Sequence, residues 1–588
     1  MLFEEVIMVR SSSLGTFLLS VLGFLLSTTV TGHAQKSQIA DLAVVAPVMS
    51  CSNLVAVEID KAVGAKTHIT SAQEVPEGLP APYCRVTGYV EPSIKFEVRL
   101  PLTTWTQRYV QTGCGGLCGN LNIRLGNSDG CYPAQHGELA LASTDMGHSG
   151  GMDGEFGAEN YQLRIDFAYR SLHVTALAAK ALISAYYGQG PKFSYFAGCS
   201  DGRREALMEA QRYPDDFNGI TAGAPAMNFT TQNTFYHGWN AIKNTALDGK
   251  PILTSADLPI LHAAAIEACD AADGLKDGLI SDPLSCHFDP QVVECKADQS
   301  SGCLTKAKVD AARAIYQGAH DSEGNKFVLS GPLPGSELAW AGVYIPSPTN
   351  DRTMSPMIST GTLKYLAYEK VQPATYTLND LQFTKESFIA ATQLHKLYDS
   401  TDPDLGPFAK LGGKLILWHG LADPHISPLN TIAYYQAMSQ IMSDKAVQNF
   451  ARLYLFPGGY HCAGGEGPFS FDLMSLIMAW VEKGSPPFEI VASHQAGGAG
   501  GGPPAGVRQD ARSADTPKVD RTRPIYPYPL TAKYNGTGSI DDARNFSPGP
   551  ANPAPKSSLQ WLGVNFYSPH YEAWCKGEGA AMTCTSTP

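Results

Sequence analysis

Two segments far apart in this chain share one device: each sets a cysteine directly beside a residue able to do chemistry. Gly198-Cys199-Ser200-Asp201-Gly202 offers a serine in a glycine-flanked turn, and Gly458-Gly459-Tyr460-His461-Cys462 offers a histidine. A serine hydroxyl is a weak nucleophile and needs a general base within hydrogen-bond reach. A disulfide between Cys199 and Cys462 would bring Ser200 and His461 together through neighbouring covalent bonds. Between the two segments, His419-Gly420-Leu421-Ala422-Asp423-Pro424 offers a carboxylate. The order serine, acid, histidine assigns the roles. Ser200 attacks, His461 takes its proton and returns one to a leaving alcohol, and Asp423 fixes the imidazole tautomer. Asp423 before a proline also suits an ordinary turn. His419 and His425 are rival bases, but both lie too close in sequence to Asp423 to form a separate partner easily.

An oxyanion needs two donors. One is expected from the backbone N–H of Asp201, the residue after the nucleophile. The other is expected from the turn Gly113-Cys114-Gly115-Gly116, with Gly116 favoured and Gly115 close behind. A further loop, Cys269-Asp270-Ala271-Ala272-Asp273-Gly274-Leu275-Lys276-Asp277-Gly278-Leu279-Ile280, concentrates carboxylates and glycines. Such loops suit Ca2+, which takes carboxylate and carbonyl oxygens together. The spacing is not that of an EF-hand, and a solvated acidic loop has the same composition. A Cys269–Cys286 clamp around it favours an ordered site.

These residues need elements to hold them. Tyr109 to Gly116 reads as a strand entering a glycine turn, and Phe193 to Gly198 as a short buried strand. Arg203 to Tyr213 reads as a helix, with Ala206, Leu207 and Ala210 on one face. Phe167 to Tyr187 reads as a helix ahead of the strand that leads to Ser200. Gly219 to Gly223, Lys414 to Trp418 and Leu453 to Phe456 read as further strands. A serine between a strand and a helix is the elbow of an α/β-hydrolase, and alternating strands and helices predict an α/β fold with a largely parallel sheet. The pattern breaks down between Ala226 and about residue 400, which reads as an inserted domain. Gly497 to Pro504 is of low complexity and reads as a linker. The expected division is a signal peptide over 1–34, core over 35–226, lid over 227–400, core over 401–492, linker over 493–518 and a C-terminal segment over 519–588.

The chain has 588 residues, 44% hydrophobic and 17% charged, with a net charge of −12. The length allows two or more domains. The negative balance, with no long basic run, argues against nucleic acid as a partner. Leu14 to Leu26 is an apolar run preceded by Arg10, and Gly32-His33-Ala34 offers a cleavage site before Gln35. This reads as a secretory signal, with Met8 a better start than Met1 because Glu4 and Glu5 precede it. The run is short for a membrane anchor. Export to the periplasm or the exterior then makes disulfides the expected state of the thirteen cysteines. Cys269/Cys286, Cys295/Cys303 and Cys575/Cys584 read as local clamps. Zinc is disfavoured, because Cys295/Cys303 lacks C-x-x-C spacing and Cys114/Cys118 has no matching second pair with histidines.

Taken together, Gly198-Cys199-Ser200-Asp201-Gly202, Asp423 and His461-Cys462 resemble the CS-D-HC arrangement of the tannase and feruloyl esterase family. The resemblance runs from about Cys51 to about residue 490, and more loosely to Phe546. It implies that Cys199 and Cys462 are bridged, that Ser200, Asp423 and His461 form a triad, and that Cys51 pairs with Cys84. It implies a disulfide-rich α/β-hydrolase core with a large inserted lid. It also implies a structural Ca2+ in the lid, held by Asp270, Asp273 and Asp277 with the carbonyls of Leu275 and Leu279. The implied activity is hydrolysis of an aromatic (phenolic) acid ester such as a ferulate or gallate, possibly attached to a plant polymer. Trp340, Tyr344 and Tyr365 are candidate walls of the lid's slot. A terephthalate monoesterase is the alternative within enzymes, and a silent polyphenol- or carbohydrate-binding protein the alternative outside them. Where the family places a C-terminal disulfide, this chain has Tyr526 and Ser547, so that bridge is missing; Cys575–Cys584 is the substitute.

Overall fold

The computed structural model describes residues 38–495 and 518–587. The expected signal peptide and most of the expected linker lie outside them.

Nine strands form the central sheet: β1 (Thr67–Val75), β2 (Tyr83–Val90), β3 (Ile94–Pro101), β4 (Arg108–Thr112), β5 (Leu139–Thr144), β6 (Phe193–Cys199), β7 (Gly219–Gly223), β8 (Lys414–Gly420) and β9 (Ala451–Phe456). Their order is β1-β2-β3-β5-β4-β6-β7-β8-β9. From β5 to β9 all neighbours are parallel, while β1, β2 and β3 join as an antiparallel meander on the β5 edge. The sequence says why. Every residue of β4 and β7 is buried, as parallel strands covered on both faces must be. β2 alternates buried and partly exposed positions instead, the pattern of a strand with one open face.

Helices cover both faces. α1 (Ser171–Tyr187) and α2 (Asp201–Arg212) pack on one face, with Leu172, Ile183, Leu207 and Met208 fully buried in the main core. The predicted helix from Phe167 is real, but its first turn, Asp166–Arg170, is wound as a π-helix. The long connection between β7 and β8 carries α3 (Leu258–Cys269), α4 (Lys306–Gln317) and α5 (Met354–Tyr365). It has a core of its own, built on Leu261, Val309, Ile315, Trp340, Tyr344 and Ile345. Trp340 and Tyr344 are thus packing residues, not walls of a slot: large aromatic rings were needed to fill the interior of the insertion. Tyr365 ends α5 and is half-buried.

α6 (Pro428–Met442) and α7 (Leu473–Lys483) follow β8 and β9. β8 shows how the layers are read from one strand. Leu415 and Leu417 face the α6 side with Ile432 and Tyr434, and Ile416 and Trp418 face the α7 side with Ile477 and Met478. Successive side chains point to opposite faces of a strand.

After α7 come three antiparallel strand pairs: β10 (Ile490–Gln495) with β11 (Val519–Ile525), β12 (Leu530–Tyr534) with β13 (Phe546–Ala551), and β14 (Trp574–Glu578) with β15 (Ala581–Thr585). The last is bridged by Cys575–Cys584. It docks on the core without the missing bridge: the Cys575 N–H donates to the Tyr169 hydroxyl at 2.8 Å, Tyr161 N–H to the Gly579 carbonyl at 2.8 Å, and Arg212 to the Ala573 carbonyl at 3.0 Å.

Candidate active site

Ser200 stands at the turn from β6 into α2 with φ 64° and ψ −122°. A non-glycine residue pays strain there, and its neighbours show what permits it. A Cβ on Gly198 would lie 2.6 Å from the Gly202 carbonyl oxygen, and one on Gly202 would lie 2.6 Å from the Cys114 carbonyl oxygen. Only glycines let the turn close this tightly and lift the serine to the sheet's carboxyl edge.

Asp423 follows β8 at the same edge and is fully buried. Its Oδ1 accepts the N–H groups of His425 (2.8 Å) and Ile426 (3.1 Å). Its Oδ2 accepts from His461 Nδ1 at 2.7 Å. Burial alone would raise the carboxyl's pKa, but the facing imidazoles, His461 foremost, outweigh it and hold the group far below the carboxylate range. With Nδ1–H committed to Asp423, the other nitrogen of His461 is the basic one. Cys199 and Cys462 are bonded, with their Cα atoms 5.8 Å apart. Ser200 and His461 therefore flank one covalent bridge.

His419 corrects the sequence reading. Far from being too close to Asp423 to pair with it, it reaches Oδ2 with Nε2 at 3.2 Å, and the same nitrogen lies 3.1 Å from the Ile426 carbonyl. Two acceptors around Nε2 require the proton there, so Nδ1 accepts from the Thr431 hydroxyl at 2.7 Å. His419 thus supports the acid from beneath. His425 is half-buried, and its ring lies 4.5 Å from that of His461. Burial first, then the neighbouring His461, pushes His425 well below the usual imidazole value.

The insertion grips this loop. Tyr236 donates its hydroxyl hydrogen to the Pro424 carbonyl at 2.8 Å, and Gln232 donates to the His425 carbonyl. Both come from the turn Gln232–Tyr236, which is wound as a π-helix, a feature common at functional sites. The next residue, His237, bonds the Ser355 hydroxyl at 2.8 Å, and burial pushes its pKa down to about 3. Sequence reasoning missed Gln232, Tyr236 and His237, because a π-turn leaves no periodic signal.

The loop after β4 lies against the start of α2. Gly202 N–H donates to the Cys114 carbonyl at 2.9 Å. Asp201 is the first residue of α2, and a helix leaves its first N–H groups without intrahelical acceptors. Gly116 has φ +65°, and a Cβ there would meet Met152 at 2.6 Å, whereas one on Gly115 would meet nothing within 4 Å. Cys114 and Cys118 pair within this loop, and Cys131 is free and buried. The remaining bridges join Cys51–Cys84, Cys269–Cys286 and Cys295–Cys303. Cysteines held in this way are not zinc ligands.

The acidic loop has the donor chemistry of a Ca2+ site, all oxygen and clamped at Cys269–Cys286. Its carboxylates also order the loop by accepting its N–H groups. Asp270 accepts from Asp277 N–H and Gly278 N–H at 3.0 Å each, Asp273 accepts from Leu275 N–H at 2.9 Å, and Asp277 accepts from Leu279 N–H at 3.2 Å. Arg523 of β11 takes the other oxygen of Asp277 at 2.5 Å. Among the described residues, the only set of three or more His, Cys, Asp or Glu ligand atoms gathered within 4.8 Å is elsewhere, at Cys114, Cys118, Asp201 and Glu205.

A strained serine at a helix N-terminus and an acid–imidazole pair can together carry out acyl transfer. Comparison with known proteins agrees. A family model described as tannase and feruloyl esterase matches residues 80–548. The chain is 32% identical to an uncharacterized esterase of Xanthomonas campestris over 84% of its own length and 90% of the relative's. It is 30% identical to the mono(2-hydroxyethyl) terephthalate hydrolase of Piscinibacter sakaiensis, over 81% and 85%. It is also 30% identical to a probable feruloyl esterase B-2 of Aspergillus flavus, over 70% and 80%. Among solved structures, feruloyl esterase B of Aspergillus oryzae superposes with a TM-score of 0.71 at 25% identity, covering 85% of this chain and all of the other.

Proposed function

The chain belongs to the tannase and feruloyl esterase family and is a carboxylic ester hydrolase, and from that premise we propose that it cleaves esters of aromatic acids through an acyl-enzyme on Ser200. The observation that carries the reading is the Cys199–Cys462 bridge. It joins the residue before Ser200 to the residue after His461, whose Nδ1 is held by Asp423 at 2.7 Å, and so supports the pairing of serine and histidine. Ser200 Oγ attacks the ester carbonyl as His461 takes its proton, and the imidazolium is stabilised by Asp423. Developing charge on the carbonyl oxygen is met by the N–H of Asp201 and one from Gly115 or Gly116. His461 then protonates the departing alcohol, and water, activated by the same histidine, releases the acid.

The acyl group is expected to be phenolic, a ferulate or gallate, with binding surface from the insertion. The similarity to a terephthalate monoester hydrolase supports a second reading with the same mechanism and a different acid. Initial rates on methyl ferulate, methyl gallate and a terephthalate monoester separate them. A kcat/KM highest for the terephthalate ester would overturn the phenolic assignment. The protein is read as exported, on the strength of the apolar N-terminal run and the six bridges. Among the described residues no helix is long and apolar enough to cross a membrane.

The acidic loop is assigned to a structural Ca2+ held by Asp270, Asp273 and Asp277 with the carbonyls of Leu275 and Leu279, all oxygen donors as the ion requires. Bound there, the ion would supply charge balance to the loop and take no part in the ester chemistry; Arg523 balances Asp277 otherwise. Chelation with EDTA should lower the melting temperature, and added Ca2+ should restore it. An unchanged melting temperature would discard the ion.

A further inference from the structure

The loop after β4 and the helix after Ser200 are tied together more closely than an ordinary turn requires. Gly113 and Gly202 pack backbone to backbone: a Cβ on Gly113 would lie 2.5 Å from Gly202 Cα and 2.8 Å from Glu205 Oε2. Glu205, on the second turn of α2, is 1% exposed, and its Oε1 accepts the Cys114 N–H at 3.2 Å. Its neighbour Asp201 receives both Nε and Nη2 of Arg204, at 2.6 and 3.0 Å. Arg204 spends its other hydrogens on the carbonyls of Ala168 and Phe167. Of the two buried carboxylates, only Asp201 is paired with the Arg204 guanidinium. Like charges that close cannot both ionise cheaply, so the proton falls to Glu205.

We propose that Glu205 is a protonated positioning residue that holds the oxyanion loop against the nucleophile helix, and that its ionisation sets the alkaline limit of ester hydrolysis. The inference rests on Ser200 as nucleophile. Burial first, then the charge of Asp201, pushes Glu205 up to about 8, against the pull of Arg204 and the Cys114 N–H. Glu209, one turn further along α2, is itself pushed up by burial, and among the described residues the loop side meets Glu205 with the Cys114–Cys118 bridge and the Cys114 N–H. The folded state then binds a proton that the unfolded chain releases above the ordinary value of 4.5. Stability from the neutral carboxyl therefore falls as pH rises from there through about 8. Activity falls at the upper end, where a second negative charge appears beside Asp201 and beside the developing oxyanion.

The test is the pH dependence of kcat and KM, from about pH 6 to about pH 10, for the wild type, E205Q, E205A and D201N. E205Q keeps the carboxyl's shape and hydrogen, so it should retain at least about a third of the neutral-pH kcat while its alkaline limb disappears. E205A should lose kcat by roughly 10-fold or more, with little change in KM. D201N frees Arg204 for Glu205 and should move the limb to lower pH, a reading that survives if E205Q does not fold. Identical alkaline limbs in the wild type and E205Q, or an unmoved limb in D201N, would overturn the proposal. If S200A has also lost hydrolysis, only the role of Glu205 falls. Full activity in S200A would instead remove the nucleophile on which both depend.

Discussion

Removing the Cys199–Cys462 bridge separates two effects that the structure predicts together. The bridge spans 263 residues with Cα atoms 5.8 Å apart. The chain-entropy relation, 2.1 + 1.5R ln n cal/mol/K, then gives roughly 5.5 kcal/mol at 25 °C. That figure is a ceiling on stability and has no bearing on chemistry in the molecules that stay folded. The local effect is different. His461 sits among Gly458, Gly459, Gly464 and Gly465, and it is 7% exposed, with its Nδ1–H bond to Asp423 its chief side-chain restraint. With the bridge gone, the loop can move while that bond persists, carrying the imidazole away from Ser200. A displacement of about 1 Å in a reacting group costs up to about 100-fold in rate. The double variant C199A/C462A avoids a stray thiol. Urea unfolding measures the first effect, and burst titration with a chromogenic ester counts competent sites for the second. The expected outcome is a lower unfolding midpoint together with a kcat per folded molecule reduced by roughly 10- to 100-fold. An unchanged kcat per folded molecule would refute the positioning argument and leave the bridge a purely entropic crosslink.

Three further outcomes follow from the same geometry. Asp423→Asn should lower kcat by about 10⁴-fold with KM nearly unchanged, because an amide at that position favours the wrong tautomer of His461; His419→Gln, which keeps a donor toward Asp423, should cost much less than His419→Leu. Stability should drop on acidification, since burial pushes His237 down to about 3 and His148 down to about 4. An unfolded imidazole takes up a proton near 6.5 that these two refuse, so their stabilising effect is complete above 6.5 and lost as pH falls toward their folded values. The loss should be on the order of 3 kcal/mol per residue by about pH 4; equal denaturant midpoints at neutral pH and at about pH 4 would contradict it.

The parts of the site written in local sequence were readable in advance. Gly198 and Gly202 mark the elbow because no other residue fits the contacts they make, and the strands of parallel type announced themselves as short apolar runs. The β1–β3 meander was not read, since its half-buried alternation gives weaker runs than β6 or β8. Trp340 and Tyr344 were misplaced for a general reason: composition shows that a ring will be buried, not against what. His419 was dismissed on sequence spacing, yet four residues across a strand end bring its ring onto Asp423. Tyr236 and Gln232 reach Pro424 and His425 across nearly two hundred residues of chain, and Glu205 earns its proton only because Arg204 is already committed. Contacts of that kind depend on tertiary placement, which no local pattern carries.

The proposed mechanism stands on Ser200 as the nucleophile. It is tested most directly by treating the protein with an ester-mimicking aryl phosphonate and mapping the adduct by peptide mass spectrometry, with S200A alongside. One adduct per chain is expected, on Ser200, with ester hydrolysis lost in step with labelling and both absent from S200A. Hydrolysis at the wild-type rate by S200A, or a stoichiometric adduct on any other residue, would contradict it.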